Sequence, residues 1–418
     1  MNQMLNSLKK NLLIFTLSPP LPANSGAPIY ITNTLLPLAE KYNLYLYTIG
    51  GEAEIEHIRK HQSEYNRYFK DIHVENRPLM PSQKCIWGQV LHSVQHIFHG
   101  LPFMDASYYS RSAVRNAKRF VRKHKIEAME VHSSHLAFFK KFLPKLPAVM
   151  VSHNIETDIF PFWVPQQLNG WKRAAVEFVA RISRKNAHQV EVENKWNFEV
   201  LTFISMSDMS RVGTAADKRY IPLCLPVKNV DYAVKTEPPV NLLWMGGFWW
   251  YPNAEGVLWF IREILPRVKE RLTAMNVCLH FLGAAPPDEL KALHDGQNIL
   301  VHGFVDSLDE MLAQTHLLFV PLLSGGGVRV KILEAMSNGI PVLSTGKGCE
   351  GLGATDGVDV VVRDTAAEFA EAMLHLVSDR ALRINLSDAG KSLLTRKYNL
   401  QSCIDEKENI YKKLFSLS

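Results

Sequence analysis

Residues Pro321–Leu352 read PLLSGGGVRVKILEAMSNGIPVLSTGKGCEGL. The apolar run Leu317–Val320 just before them has the character of a buried strand. Ser324-Gly325-Gly326-Gly327 then supplies backbone that can approach a ligand closely and turn its N–H groups toward it. A helix is expected to begin near Val328 and continue through Val330–Asn338, and Pro341–Ser344 reads as the next strand. Strand, glycine turn, helix and strand in succession are the unit of a parallel α/β sheet. The positive end of the helix dipole favours an anion at such a junction, a diphosphate for example. Arg329 and Lys331 fall in the first turn, where cations oppose the dipole, so an anionic partner accounts for them better than local stability does. Glu334, three residues beyond Lys331 on the same face, is placed to accept hydrogen bonds from ribose hydroxyls. A surface Lys–Glu pair after a flexible turn is the plain alternative.

The same alternation extends outward in both directions. Upstream, strands are expected at Leu242–Met245, Val277–Leu282 and Ile299–His302, with helices over Glu255–Leu272, Asp288–His294 and Ser307–Gln314. A first series opens the chain: strand Leu12–Leu17, loop Pro19–Pro28, helix Ile29–Tyr42 and strand Leu44–Ile49. It continues with helix Ala113–His124, strands Ala128–His132 and Ala148–His153, and a short strand near Phe203–Ser205. Regularity fades between Cys224 and Val240, where Pro226, Pro238 and Pro239 mark a linker. From Ala366 onward the pattern is helical, with a break near Lys397–Leu400. The 418 residues exceed one ordinary core. The expected organisation is an N-terminal Rossmann-like domain over residues 1–228, a C-terminal one over 229–392, and a tail, 393–418, that returns to the first.

Composition narrows the class. Hydrophobic residues make up 47% and charged residues 21%, as in globular proteins, and the formal net charge is +6. That balance suits anionic ligands, and no motif supports nucleic-acid binding. The five cysteines stand singly, without zinc or disulfide spacing, so free thiols in a reducing cytoplasm are expected. Lys9-Lys10 before Leu12–Phe15 resembles a leader only superficially, because the apolar run is short and ends at Pro19-Pro20. No stretch of about 20 apolar residues is present to span a bilayer.

Taken together, Gly326–Thr345 resembles the donor-binding signature GGVRxKxLEAMxxGxPVVST of family 4 glycosyltransferases of the GT-B fold, of bacterial polysaccharide type. The resemblance implies two Rossmann-like α/β domains facing across a cleft. It also implies that Glu334 holds the donor ribose, while Arg329, Lys331, Val328 and the backbone of Gly325, Gly326 and Gly327 hold diphosphate and sugar. One departure stands out: the family often carries a glutamate eight positions before the ribose glutamate, and here that position is Gly326. Leu242–Asn253 (LLWMGGFWWYPN) resembles the family's "GSMxxxPN" loop and brings Gly247 to the donor. Trp249, Trp250 and Tyr251 in it read either as core packing or as an exposed platform for a sugar. Val301–Asp306 resembles the stretch whose backbone pairs with the donor base, at Gly303, Phe304 and Val305. In the N-terminal half, Gly26 resembles the first glycine lining the cleft, His153 the cleft histidine, and Ser205 with Asp208 the element before the linker. Glu130, His132 and His135 are candidates for the acceptor side.

The reaction so implied is retaining transfer of a hexosyl group from a nucleoside-diphosphate sugar to a glycan or lipid-linked glycan. UDP-glucose is the first expectation for the donor and GDP-mannose its rival. His153, Arg329 and Lys331 carry catalysis, and with cations on the diphosphate no metal or other cofactor is expected. Two other readings stay open: a sugar-nucleotide epimerase on the same fold, and an inactive nucleotide-sugar-binding subunit. The basic runs Arg111–Lys125 and Lys172–Lys185 suit either solvated helix faces or peripheral contact with an anionic membrane on the cytoplasmic side.

Overall fold

The computed structural model describes residues 9–417, apart from 24–25, 77–93, 95–99, 103–104, 106–107, 156–168, 214–215, 236, 306–307 and 326–327. The chain forms two compact units, one of Met1–Leu223 with Gln401–Ser418, the other of Cys224–Leu400.

The first unit is built on seven parallel strands: β1 (Asn11–Thr16), β2 (Asn43–Gly50), β3 (Phe69–Asn76), β4 (Ala128–His132), β5 (Ala148–Ser152), β6 (Val200–Phe203) and β7 (Asp217–Tyr220). Their order is β3-β2-β1-β4-β5-β6-β7. Central strands of a parallel sheet are covered on both faces, so β1, β4 and β5 are buried nearly throughout, β1 and β5 with mostly apolar residues and β4 with Glu130 and His132 among them. Phe15 stacks on Phe139 at 4.3 Å within a core that includes Leu13, Met129, Val131 and Phe138. Strands β3 and β7, absent from the sequence-based series, are the two edges. Their sequences, FKDIHVEN and DKRY, carry charges that would disqualify an interior strand and that protect an edge. The expected helix Ile29–Tyr42 is a helix over Gly26–Thr34 followed by a 3-10 turn, Leu36–Glu40, which Pro37 opens.

The second unit has six parallel strands: β8 (Val240–Met245), β9 (Val277–Leu282), β10 (Ile299–Gly303), β11 (Leu317–Val320), β12 (Val342–Ser344) and β13 (Val361–Val362). The order β10-β9-β8-β11-β12-β13 is that of a doubly wound dinucleotide-binding sheet. The expected helix Glu255–Leu272 starts earlier, at Tyr251, and passes through a π-helical turn at Phe260–Ile264 before resuming over Leu265–Ala274. Pro266 lies just beyond that turn and cannot donate to the preceding ladder, which accounts for the widened winding there. Residues 224–239 are no free tether. Tyr232 is buried and donates its hydroxyl to His316 O, while Lys235 Nζ donates to Ala313 O.

The helix Arg380–Lys397 stays with the second unit, with Leu386, Leu393 and Leu394 buried. The return to the first unit begins at Gln401, later than residue 393. There Tyr411 and Phe415 of the last helix, Leu400–Ser416, pack on Tyr42. No helix of the described residues is long and apolar enough to cross a membrane. Cys224, Cys278, Cys349 and Cys403 are free thiols, and Cys85 lies outside the described residues.

Candidate functional site

In open α/β sheets ligands gather beyond the carboxyl ends of the strands where the winding reverses. In the second unit that point lies between β8 and β11. Beyond β8 come Gly246 and Gly247; beyond β11 comes Pro321–Gly325, then the helix Val330–Ser337.

The helix starts two residues later than expected. Arg329 is its N-cap, at φ −83° and ψ 88°, so Val328 and Arg329 belong to the loop and only Lys331 is in the first turn. The cause is the extended loop geometry: Gly325 takes φ +99°, and Val330 N–H turns back to Val328 O. The Arg329 guanidinium folds beneath this loop, its Nη2 3.4 Å from Ser324 O, and burial lowers its pKa. Gly326 and Gly327 lie outside the described residues.

Lys331 is the centre of the site. Its Nζ donates to Asn253 Oδ1 at 2.9 Å and stands 4.7 Å above the Trp244 ring. Asn253 Nδ2 in turn donates to Gly247 O at 2.9 Å. Gly246 takes φ +149°, a conformation that strains any side chain, and a Cβ there would also displace the ammonium, 2.7 Å away, and Asn253 Nδ2, 2.8 Å away. Burial, seconded by Arg329, brings the Lys331 pKa down to about 7. Glu334, one turn on, is pushed up to about 7 by burial, against the pull of Lys228 and Lys331. Half-buried as they are, the two groups are not an exposed surface pair, and their shifted titration makes them candidates for a functional centre.

Backbone lines the floor. Gly246 N–H donates to Leu282 O and Gly283 N–H to Gly303 O, which joins the ends of β8, β9 and β10. Gly303 has φ +69° with open space around it, and Phe304 beyond it is exposed, with Val305 half-buried. Gly247 is covered by the Trp249 indole, since a Cβ there would meet its Nε1 at 2.3 Å. Trp249 is 75% exposed and Tyr251 57%, so this aromatic run is a surface feature and not core. The sequence-based reading missed Gly246, Gly283, Trp244 and Asn253 as parts of the site. The "PN" of the loop motif was the available signal for Asn253.

The first unit holds a separate cluster at its own reversal point, between β1 and β4. Gly26 opens the helix after β1, and His153 follows β5. The candidates for the acceptor side do not face outward. Glu130 is fully buried, with Oε1 2.6 Å from His132 Nε2 and 2.9 Å from Lys407 Nζ. His135 is buried against Asp105 at 3.0 Å. All three act inside the unit because internal charges already hold them. Ser205 caps the helix Met206–Arg211, accepting from Asp208 N–H at 3.3 Å, which is a structural task. Among the described residues no group of three or more His, Cys, Asp or Glu side chains is disposed to hold a metal.

Residues 239–379 match the family described as Glycosyl transferases group 1. The chain is 22% identical over 375 residues to an "Uncharacterized 44.6 kDa protein in cps region" of Klebsiella pneumoniae, covering 87% of this chain and 90% of that one. Sucrose-phosphate synthase from Thermosynechococcus elongatus is similar in structure, with a TM-score of 0.63 at 14% identity over 98% of this chain and 100% of the other. Anabaena Alr3699/HepE in complex with UDP-glucose gives a TM-score of 0.61 at 12% identity over 96% and 99%. Residues 239–379 thus match a glycosyl transferase group 1 domain, in an enzyme with the two-sheet α/β architecture of the GT-B glycosyltransferases.

Proposed function

We propose that this enzyme transfers a hexosyl group, with retention, from a nucleoside-diphosphate sugar to a glycan or lipid-linked glycan acceptor. The observation that carries this reading is Lys331, set between Asn253 and Trp244 beside the bare Gly246 backbone at the sheet's reversal point. A diphosphate placed there meets an ammonium, a guanidinium at Arg329 and the positive end of a helix dipole. These groups stabilise the charge that develops as the bond from the sugar's C1 to the diphosphate oxygen breaks. The departing oxygen accepts the proton of the attacking hydroxyl, whose oxygen bonds to C1 on the same face. Cations of the chain thus take the role a divalent metal has elsewhere. Glu334 receives the ribose hydroxyls, and Gly303, Phe304 and Val305 offer backbone to the base.

UDP-glucose is the favoured donor, a choice supported by the complex of the Anabaena neighbour, and GDP-mannose is its rival. A surface glycan as acceptor is supported by the cps-region relative. Two basic helices of the first unit support work at the cytoplasmic face of an anionic membrane.

The test is calorimetric titration of the purified protein with UDP, GDP and their sugar conjugates in the presence of a chelator. Micromolar binding of one diphosphate, lost in Lys331→Ala and Glu334→Ala, is expected. A folded protein that binds none of them would sink the reading.

A further inference from the structure

In the second unit the helix after β8 and the loop after β11 meet at a carboxylate that the anion site does not use. Glu255 Oε1 accepts from Tyr251 OH at 3.0 Å, one helical turn back, and Oε2 accepts from Ser324 Oγ at 2.5 Å, 69 residues away in sequence. Ser324 opens the glycine loop, and its carbonyl oxygen lies 3.4 Å from Arg329 Nη2. The loop rests directly on the start of the helix. A Cβ on Gly325 would lie 3.1 Å from the Pro252 ring, and one on Gly256 would lie 2.4 Å from Pro321 O. Glu255 is half-buried. Tyr251 beside it is 57% exposed, and Trp249, two residues earlier, 75%.

A carboxylate partly withdrawn from water ordinarily pairs with a cation. Among the described residues none pairs with Glu255, although Arg329 reaches the same Ser324 through its carbonyl. Both partners of Glu255 are neutral hydroxyls, and a tie between helix and loop needs no more than the carbonyl oxygen of a glutamine. An ionised carboxylate has about four lone-pair sites, of which one on each oxygen is taken. The other site on each oxygen is left for a ligand, and charge decides its character. A phosphate oxygen is repelled by the carboxylate, so diphosphate belongs at Arg329 and Lys331. A neutral group with adjacent hydroxyl donors is the complement, and the vicinal diol of a pyranose is such a group. The aromatic run supplies the other half of that recognition. Bonding its hydroxyl to Glu255 fixes the Tyr251 ring while more than half of the residue stays exposed. A pyranose has an apolar C–H face as well as hydroxyls, and an aromatic ring already held in place covers that face at little entropic cost.

We propose that Glu255 and Tyr251, with Trp249 at the rim, form a pyranose subsite, in which the Glu255 carboxylate accepts two sugar hydroxyls and the Tyr251 ring covers the sugar's C–H face. Glu255 and Arg329 touch the same residue, Ser324, one through its hydroxyl and the other through its carbonyl, so the subsite adjoins the anion site. That adjacency suits the hexose of a nucleoside-diphosphate sugar, and a sugar of the acceptor has the same chemistry. The proposal rests on the transferase reading for the source of the sugar and not for the subsite. Two acceptor oxygens held at a fixed separation read the orientation of neighbouring hydroxyls, which makes Glu255 a specificity-determining residue.

The experiment is saturation-transfer difference NMR of the full-length protein with methyl α-glucopyranoside and methyl α-mannopyranoside, which needs neither nucleotide nor turnover. Wild-type protein is expected to transfer magnetisation to the ring protons of at least one glycoside, and Tyr251→Ala to abolish the transfer. Glu255→Gln keeps an oxygen for Tyr251 and Ser324, and so keeps the loop in place, yet is expected to weaken glycoside binding about 10-fold. Calorimetry with UDP beside UDP-glucose, and GDP beside GDP-mannose, then identifies the source. A Glu255→Gln loss confined to the sugar conjugate identifies the donor's hexose. Glycoside binding lost while nucleotide and conjugate are unaffected identifies a sugar of the acceptor. No transfer to either glycoside, with UDP absent or present, overturns the proposal, as do variants that bind glycoside like wild type. Equal weakening of nucleotide and conjugate also overturns it, since Glu255 would then support the loop alone. Wild-type protein that binds glycoside but no nucleotide refutes the transferase reading and leaves the subsite standing.

Discussion

Lys331 and Asn253, 78 residues apart in sequence, are joined by a 2.9 Å hydrogen bond that holds the ammonium over the Trp244 ring. The same Asn253 is anchored through its Nδ2 to Gly247 O, so the loop after β8 and the helix after β11 present one preorganised cation. Removing Asn253 should therefore misplace the ammonium without removing its charge. A hydrogen bond to a charged group is worth about 1.5–3 kcal/mol. Asn253→Ala is expected to weaken UDP binding by roughly 10- to 100-fold. Calorimetry on the folded variant checks this, and unchanged affinity would show that Lys331 needs no such support.

The pH dependence follows from the neighbouring pair. Lys331, lowered to about 7, is charged below that pH and loses its hold on diphosphate as pH rises through it. Glu334, raised to about 7, is ionised above that pH and loses its acceptor capacity as pH falls through it. kcat/KM should accordingly be bell-shaped with a maximum near pH 7, each limb belonging to the pair as a whole. Lys331→Met should abolish the alkaline limb and Glu334→Gln the acid limb. Initial-rate profiles test this, and a wild-type profile flat across neutrality would contradict it.

Two glycines at the strand ends should respond differently to a methyl group. At Gly283 the new Cβ would sit 1.9 Å from Gly246 O, at φ +155°, so backbone must move. At Gly303 nothing lies within 4 Å and only the φ of +69° resists. Gly283→Ala is expected to cost about 3 kcal/mol or more, and Gly303→Ala about 1 kcal/mol. Urea unfolding of the two variants measures both, and equal losses would refute the close approach of β8 and β9.

Arg383 is fully buried in the second unit and fully engaged. Its Nε donates to Tyr232 OH at 2.8 Å, its Nη2 to both Glu237 oxygens at 2.6 and 2.7 Å, and its Nη1 to Leu376 O and Val377 O. This network ties the segment before β8 to the helices Ala366–Ser378 and Arg380–Lys397. Arg383→Ala leaves the half-buried Glu237 paired with Arg380 at 3.3 Å but removes its closest cation, two carbonyl partners and a fully buried side chain, and is expected to destabilise the protein by about 3 kcal/mol. A shift of the thermal midpoint by less than a degree or two would place the stability elsewhere.

The helix Arg111–Lys123 exposes Arg111, Arg115, Lys118, Arg119, Arg122 and Lys123 and carries no acidic residue; of these, Lys123 is paired with Asp71. The helix Gly170–Glu191 exposes Trp171 and Phe178, seven residues apart on one face, among further cations. Binding to anionic vesicles at low salt is expected, at roughly 1 kcal/mol per cation near the surface. Reversing Arg115, Lys118, Arg119 and Arg122 to glutamate should abolish pelleting in co-sedimentation. Wild-type protein left wholly in the supernatant would refute membrane docking.

Much of this was legible in one dimension. Strands buried on both faces, such as LLIF and LLFV, announce themselves as apolar runs, and the glycine turn before Arg329 marks the candidate anion site. The edge strands β3 and β7 were illegible because partial exposure leaves them polar, like loops. Helix starts were read two to four residues off, at Val330 and Tyr251, where loop geometry and proline placement outweigh periodicity.

The sequence by itself determined that this chain builds two parallel α/β units, and it singled out Arg329, Lys331 and Glu334 as the candidates for an anion-and-ribose site. Hydrophobic periodicity and glycine placement are local properties, and local properties are written along the chain. Only the tertiary structure decided that Asn253 and Trp244 hold Lys331, that both titrating groups are poised near 7, and that Glu130 serves Lys407 and His132 instead of facing a substrate. The physical reason is that desolvation and hydrogen-bond geometry depend on what surrounds a side chain. Those surroundings come from residues as remote as Glu130 and Lys407, which no local pattern connects.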